Sequence, residues 1–559
     1  MVRIQGKGVS AGIGMGQLRF YRGASEAINK SIAQDADVQW QRFGEAQAVA
    51  AKQLGDLAEK ARREAGEDAA LLFETHQMMI GDEDYEAAVE RMIREEKLIA
   101  EAAVSCTGEQ FAAMFESMDD SYMRSRAADV RDVTNRMIEI LCGKSESGMA
   151  FDMPVVLAAE DLAPSQTIQL DRTKILGLIT VKGSAFSHTA ILARALGIPA
   201  VVGVGEELGM EYEGHQVIID GDSGGVIIDP DEKTHKRMLE RKEEQLAYQK
   251  MLEALKGKQS VTCDGQRIRV CCNIGSVEDV HSVLANDGEG IGLLRSEFLY
   301  LNAKDYPSEE EQFEAYKAVL SRMDGREVII RTCDIGADKQ IDYLKLPREE
   351  NPALGLRALR LSLSRPDVLR TQLRALYRAS VYGNLGIMFP MVVSVWEVRE
   401  VKHLIERVKA ELREEGVSYS DAVKIGVMIE TPAAAMISDL LAREVDFFSC
   451  GTNDLTQYTL ACDRYSSLGR FYDPHHLAVL RLIRLVVDNA HKRGVWVGVC
   501  GELGADPDMT QTLLAIGVDE LSVSPHAVLP VRSAVRCADM RRTRAMILGA
   551  LDSGEALHL

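Results

Sequence analysis

No apolar run in this sequence approaches the length that crosses a bilayer, and the N-terminal MVRIQGKGVSAGIG has neither an apolar core nor a cleavage site. Neither a membrane-inserted protein nor a secreted precursor is therefore expected. Basic residues are in deficit: 65 Lys and Arg stand against 85 Asp and Glu, a net charge of −20. That balance excludes wholesale binding of nucleic acid or of an anionic membrane, both of which need a basic surface. It leaves a basic protein partner open. C-x-x-C pairs are absent as well. Ten cysteines scattered over 559 residues make neither a disulfide framework nor a zinc site. Most read as small buried apolar residues in a reducing compartment, and a cytoplasmic location is expected.

What is present is enough apolar material, 46% of residues, for several cores, and a chain this long needs more than one. The first twenty residues read as Gly-punctuated strand. From about Ser25 to Cys142 proline is missing and apolar residues recur three and four apart, which predicts a helical bundle. Between Pro154 and Asp229 the short runs VVLAA, ILGLIT, AVVG, QVIID and GGVIID are separated by Gly, Pro and Asp, predicting a compact α/β domain. A helical domain, residues 23–145, is thus read as inserted into an α/β domain made of residues 1–22 and 146–230. Residues 231–258 form a charged, proline-free linker helix. A coiled coil is its rival, but the a/d repeat is not kept.

Eight more runs follow in residues 259–559: IRVCCNIG, GIGLLRSE, EVIIRTCDIG, GIMFPM, KIGVMIE, DFFSCGTND, VWVGVCGE and DELSVSP. Separated by helical segments, they predict a (β/α)8 barrel. A doubly wound sheet is the alternative, but it would not need polar residues at the C-terminal end of nearly every strand. Those ends carry Arg295, Arg331 with Asp334, Glu430, Asn453 with Asp454, and Cys500 with Glu502; Arg357 and Arg464 lie in following connections. Barrel enzymes build their sites there. The planar fork of arginine matches carboxylate and phosphate. Glu430 and Asp454 suit Mg²⁺, which takes one or two protein carboxylates and completes its shell with substrate and water. Singly, each arginine reads as a surface ion pair and Cys500 as a buried structural thiol. Together they specify a phosphoryl-transfer site for a small polyanion, with Cys500 placed for proton transfer.

The segment KGSAFSHTAILARALGIPAVVG, residues 182–203, predicts a helix from His188 to Leu196, N-capped by Ser187 and stopped by Gly197 and Pro199. His188 then sits where free backbone N–H groups favour an anion and disfavour a protonated ring. A neutral imidazole there can attack phosphorus; a histidine that merely opens a helix is the plainer reading.

Together the segments KGVSAGIGMG, RAADVRDV, SHTAILARALGIPAVVG, GIGLLRSEFLY, VIIRTCDIGADK, NPALGLRALR, IETPAAA, DFFSCGTNDLTQYTLACDR and VCGELG resemble the phosphoenolpyruvate-utilising enzymes. Within them the likeness, over essentially the whole chain, is to the Enzyme I family of the bacterial phosphotransferase system. The resemblance implies that His188 is phosphorylated at Nε2 and that Glu430 and Asp454 bind Mg²⁺. It implies that Arg295, Arg331, Asn453, Asp454 and Arg464 bind phosphoenolpyruvate, with Arg357 nearby, and that Cys500 protonates the pyruvate enolate. It further implies a phosphohistidine swivel domain, a helical insert that docks the phosphocarrier protein HPr, and a barrel that carries a homodimer interface. The family form before the histidine is Gly-Gly-Arg-Thr-Ser-His. Here Gly183-Ser184-Ala185-Phe186-Ser187-His188 stands instead, without the arginine and the threonine hydroxyl. On the insert, Met78 and Met79 beside Asp82, Glu83 and Asp84 offer an apolar patch rimmed by acids, suited to a carrier with a basic rim. A dikinase would need an ATP-grasp domain, for which these residues leave no room. A non-catalytic docking protein would not need the intact arginine, carboxylate and cysteine set.

Overall fold

Short apolar runs, buried on both faces at the centre, build one sheet of eight strands in the N-terminal part of the chain. The computed structural model describes residues 1–21, 35–64, 67–118, 121–143, 151, 153–171, 173–184, 187–301, 303–336, 341–347, 349–464 and 469–554. The chain divides into two compact units, Met1–Tyr248 and Gln249–Leu559. In the first, the strands are β1 (Val2–Gln5), β2 (Lys7–Ser10), β3 (Ile13–Phe20), β4 (Val155–Ala159), β5 (Ile175–Thr180), β6 (Ala200–Val202), β7 (Gln216–Asp220) and β8 (Gly225–Ile228). Their order is β1-β8-β7-β3-β4-β5-β6-β2; β3 to β6 run parallel and the other pairs antiparallel.

The period of two sorts the side chains. Val156, Ala158 and Ile179 meet Leu18, Val201 and Ile219 on one face, while Val155, Leu157 and Leu178 point to the other. That second face joins the insert, whose helices are α1 (Ala36–Glu64), α2 (Glu67–Ile80), α3 (Glu83–Arg94), α4 (Ala100–Glu116) and α5 (Ser121–Leu141). Phe43, Phe73 and Val133 of the insert share one apolar cluster with Leu157 and Ala190 of the α/β layer. A polar clasp adds direction. Ser165, in α6 (Pro164–Gln169), donates from its amide and hydroxyl to the Asp132 carboxylate of α5, at 3.2 and 2.6 Å. The next helix, α7, spans His188–Leu196.

Most of the stretch 231–258 forms helix α8 (Glu232–Glu253). Its first half belongs to the α/β domain: Met238 is buried with Ile13 and Ile218, Arg241 pairs with Asp220 at 2.6 Å, and Gln245 donates to Asp222 at 3.0 Å. Its end belongs to the second unit. Leu252 is buried, the fully buried Arg532 donates to the Leu255 carbonyl and pairs with Asp287, and the Gly257 amide donates to Asp287 at 2.7 Å. Between these fastenings, residues 246–251 are exposed.

All eight expected runs of the second unit are strands of one closed parallel barrel: β9 (Arg269–Ile274), β10 (Ile291–Arg295), β11 (Glu327–Arg331), β12 (Asn384–Phe389), β13 (Lys424–Ile429), β14 (Phe447–Cys450), β15 (Trp496–Val499) and β16 (Glu520–Val523). The last strand closes back on the first, Glu520 opposite Arg269 through Val523 opposite Cys272. Leu293, Ile329, Met388, Met428 and Phe447 fill the lumen. Its base is sealed by Arg269, which lies 4.0 Å from the Trp496 ring and pairs with Glu327 and Glu520.

Candidate active site

The barrel's strand order brings the polar strand ends to one mouth. Arg295 and Arg331 lie opposite each other on β10 and β11. Arg331 is buried, donating from Nη2 to Glu297 at 3.1 Å and pairing through Nη1 with Asp334 at 2.9 Å. The other Asp334 oxygen takes Arg357 at 2.9 Å, and Arg357 lies 4.0 Å from Asp454. Burial opposes both guanidinium charges, but Glu297 and Asp334 outweigh it for Arg331, and Asp334 and Asp454 do so for Arg357, raising both pKa values. Both side chains remain cations. The Nε atoms of both are buried without a hydrogen-bond partner among the described residues. An unmet buried donor costs about 1–3 kcal/mol, so two at one mouth mark a place for an anionic acceptor.

Glu430, 1% exposed at the end of β13, accepts the Met391 amide at 2.6 Å. Met391 presents that amide from the left-handed region, φ 55°. Gly451 makes room for the carboxylate: a Cβ there would lie 2.9 Å from Glu430 Cβ and Oε2. Burial, then the charges of Asp334 and Asp454, push the Glu430 carboxyl well above the usual carboxylate range, against Arg331 and the amide. Asp334 is occupied by Arg331 and Arg357, which leaves Glu430 and Asp454 as the two carboxylates suited to a hard divalent cation. No group of three or more His, Cys, Asp or Glu able to hold a metal occurs among the described residues. The shell around Glu430 and Asp454 would need substrate and water to complete it, as Mg²⁺ sites do.

Cys500 follows β15 and is buried. Burial pushes its thiol up to about 11, with Ser449, Arg331 and Arg295 pulling down and Glu430 pushing up; at neutral pH it is a protonated thiol. Its Sγ donates to the Cys450 carbonyl at 3.6 Å. The turn that follows is tightly held. A Cβ on Gly501 would lie 1.9 Å from Thr452 Oγ1, and the Glu502 amide donates to Asn453 Oδ1 at 3.2 Å. Asn273 of β9 donates to the Cys500 carbonyl at 3.0 Å. Asn453 and Asp454 lie in the helix Thr452–Leu460 just beyond β14. Arg464 sits farther out, exposed beyond that helix; its amide donates to Gln457 at 3.3 Å and its charge bears on the Tyr472 hydroxyl. The sequence reading missed Glu297, Asn273, Met391 and Tyr458, whose hydroxyl takes Arg357 at 3.4 Å.

In the first unit, α7 begins at His188. Ser187 caps it, accepting the Ala190 amide on Oγ at 3.3 Å, and Gly197 ends it at φ 66°. Thr189 anchors the helix to the Leu162 carbonyl at 2.7 Å. Ala185 and Phe186 of the unusual loop lie outside the described residues, as do residues 22–34 and 144–150, which cross into and out of the insert. On the insert, Met78 is 66% exposed, whereas Met79 packs with Ala112, Ala127 and Val130. Asp82 caps α3, accepting the Asp84 and Tyr85 amides at 3.1 Å each; Glu83 lies in the first turn. Met79, Asp82, Asp84, Tyr85, Phe111 and Met114 border a cleft of about 230 Å³.

Three family profiles match along the chain: PEP-utilising enzyme, N-terminal (residues 5–126), its mobile domain (151–224) and its PEP-binding domain (249–540). The phosphoenolpyruvate-protein phosphotransferase of Priestia megaterium is 45% identical over 536 residues, covering 95% of this chain and 93% of its own. That of Listeria innocua is 42% identical over 554 residues (98% and 97%), and that of Bacillus subtilis 43% over 537 (96% and 94%).

Proposed function

The chain belongs to the phosphoenolpyruvate-protein phosphotransferase family, and from that premise we propose that it moves the phosphoryl group of phosphoenolpyruvate to His188. From there the group passes to a histidine of the carrier protein HPr, with release of pyruvate, as the first step of sugar uptake by the phosphotransferase system. One observation carries the reading: two buried, charge-stabilised guanidiniums with open Nε donors face the Glu430–Asp454 carboxylates at a barrel mouth.

Arg295, Arg331, Arg357 and Arg464 hold the substrate's phosphoryl and carboxylate groups, and Asn453 adds a polar contact. Glu430 and Asp454 would hold Mg²⁺, which when bound neutralises phosphoryl oxygens. Donors already fixed in place stabilise the transferring group without reorganising during the reaction. His188 attacks phosphorus in line with the departing enolate oxygen. Cys500, kept as a thiol by burial, gives its proton to C3 of the enolate.

The α/β domain (1–22 with 146–230) is assigned the phosphohistidine, the insert (23–145) HPr docking through the Met78, Met79, Asp82, Glu83 and Asp84 region, and the barrel (259–559) a homodimer contact. The two half-reactions need His188 at different partners, so the domain must swivel, with the segment around 229–258 and the two crossings to the insert as candidate hinges. Incubation with labelled phosphoenolpyruvate and Mg²⁺ should give acid-labile, base-stable label that purified HPr discharges. No label on wild type, or equal label on His188→Ala, sinks the reading.

A further inference from the structure

Strands β9 and β15 are not neighbours; β16 lies between them. The carboxamide of Asn273 spans that gap. Its Nδ2 donates to the Ser522 carbonyl of β16 at 2.9 Å and to the Cys500 carbonyl beyond β15 at 3.0 Å, while its Oδ1 accepts the Ser522 hydroxyl at 2.6 Å. Two carbonyls on one side and a hydroxyl on the other fix which end of the amide is which. Both of its N–H groups are used.

We propose that Asn273 is a positioning residue for proton transfer from Cys500, an inference that rests on the function proposed above. The thiol must address one face of a flat enolate. In that step the C3–H bond forms from the enolate's electron pair, the S–H bond breaks, C2–O becomes a carbonyl, and the thiolate regains a proton from water. The direction of the thiol is set by the Cys500–Gly501 peptide. That turn is held by the Cys500 amide on the Cys450 carbonyl and the Gly504 amide on the Gly501 carbonyl, 3.1 Å each, by the close approach of Thr452 to Gly501, by the Asn453 acceptor on the Glu502 amide, and by the Asn273 donor, which is the contact on the Cys500 carbonyl. Without the Asn273 donor, the Cys500 carbonyl loses its partner 3.0 Å away, and the Cys500–Gly501 peptide gains room to turn about Cα–C while the Cys500 amide stays on Cys450, loosening the aim of Sγ, which lies 3.6 Å from the Cys450 carbonyl. A residue that merely fastened the barrel seam would alter stability and leave the facial selectivity of protonation untouched.

The test compares wild type with Asn273→Ala and Asn273→Ser, full length and with Mg²⁺, in three readouts. They are label on His188 from phosphoenolpyruvate, exchange of pyruvate methyl hydrogens with D2O followed by proton NMR, and the stereochemistry of C3 protonation of phosphoenolpyruvate labelled stereospecifically at C3. Both variants should label His188 with a KM within about twofold of wild type, exchange pyruvate about tenfold more slowly or worse, and give a largely racemic methyl group. Should Asn273→Ala not fold, Asn273→Ser decides by the same readouts. A folded variant with wild-type exchange and stereochemistry overturns the proposal. Absence of label on wild type overturns the parent reading instead, and a labelled wild type with non-stereospecific protonation removes Cys500 from its role.

Discussion

Burial favours the protonated form of Glu430, and Asp334 and Asp454 add like-charge repulsion, so its pKa in the fold lies above its unfolded value. A carboxyl shifted upward stabilises the fold at low pH, and that stability is lost as pH rises from the unfolded pKa through the folded one. Glu430→Gln does not titrate. In the absence of Mg²⁺ and substrate it should therefore be more stable than wild type at pH 7–8, by about 0.5–2 kcal/mol, with the difference closing below about pH 4. Thermal melts across pH 4–8 measure this, and the same variant should lose labelling of His188. Arg331 bridges Glu297 and Asp334 through separate nitrogens. A lysine's single nitrogen cannot reproduce that planar, two-nitrogen bridge, so Arg331→Lys should cost about 100-fold in kcat/KM for phosphoenolpyruvate by steady-state assay. The strand-end residues were legible because each ends an apolar run. Glu297 was not: it lies past the end of β10 in a turn, and its partner is 34 residues away on the next strand. Asn273 sits inside its strand and is named by contacts 227 and 249 residues distant.

Helix α7 shows what local sequence specifies well, since Ser187 and Gly197 cap it at the expected places. Removing the N-cap hydroxyl in Ser187→Ala should lower stability by about 1 kcal/mol in urea unfolding. The insert shows the opposite case. Periodicity predicted helices there, but three adjacent apolar residues cannot all share a face. Ile80 turns fully inward, Met79 packs partly, and Met78 stays exposed. Asp82, read as an acid on a docking rim, is also the cap of α3. Asp82→Ala should cost about 1 kcal/mol of stability whether or not HPr is present; urea titration with and without the carrier separates the two effects.

At the scale of the molecule, the eight barrel strands could be read because each is a short, largely apolar run between helical segments. The sharing of one core by the insert and the α/β layer could not, because amphipathic helices do not name the surface they cover. The linker divides the chain energetically as well: Met238 and Arg241 fasten one half of α8, and Arg532 fastens the segment after its end. Calorimetry should resolve two unfolding transitions. Phosphoenolpyruvate with Mg²⁺ should raise only that of Gln249–Leu559, by RT ln(1 + [L]/Kd); one shared shift would refute this.

The seam between β9 and β16 also has a consequence in time. The first barrel strand to leave the ribosome must wait for the last, since Asn273 and Ser522 are 249 residues apart. Contacts that distant form late, after the loop between them exists to be closed. A nascent chain halted before Val523 would already contain Arg295, Arg331, Glu430 and Cys500, with no closed mouth to gather them. The growing polypeptide therefore cannot consume phosphoenolpyruvate until β16 has been made and has closed the barrel.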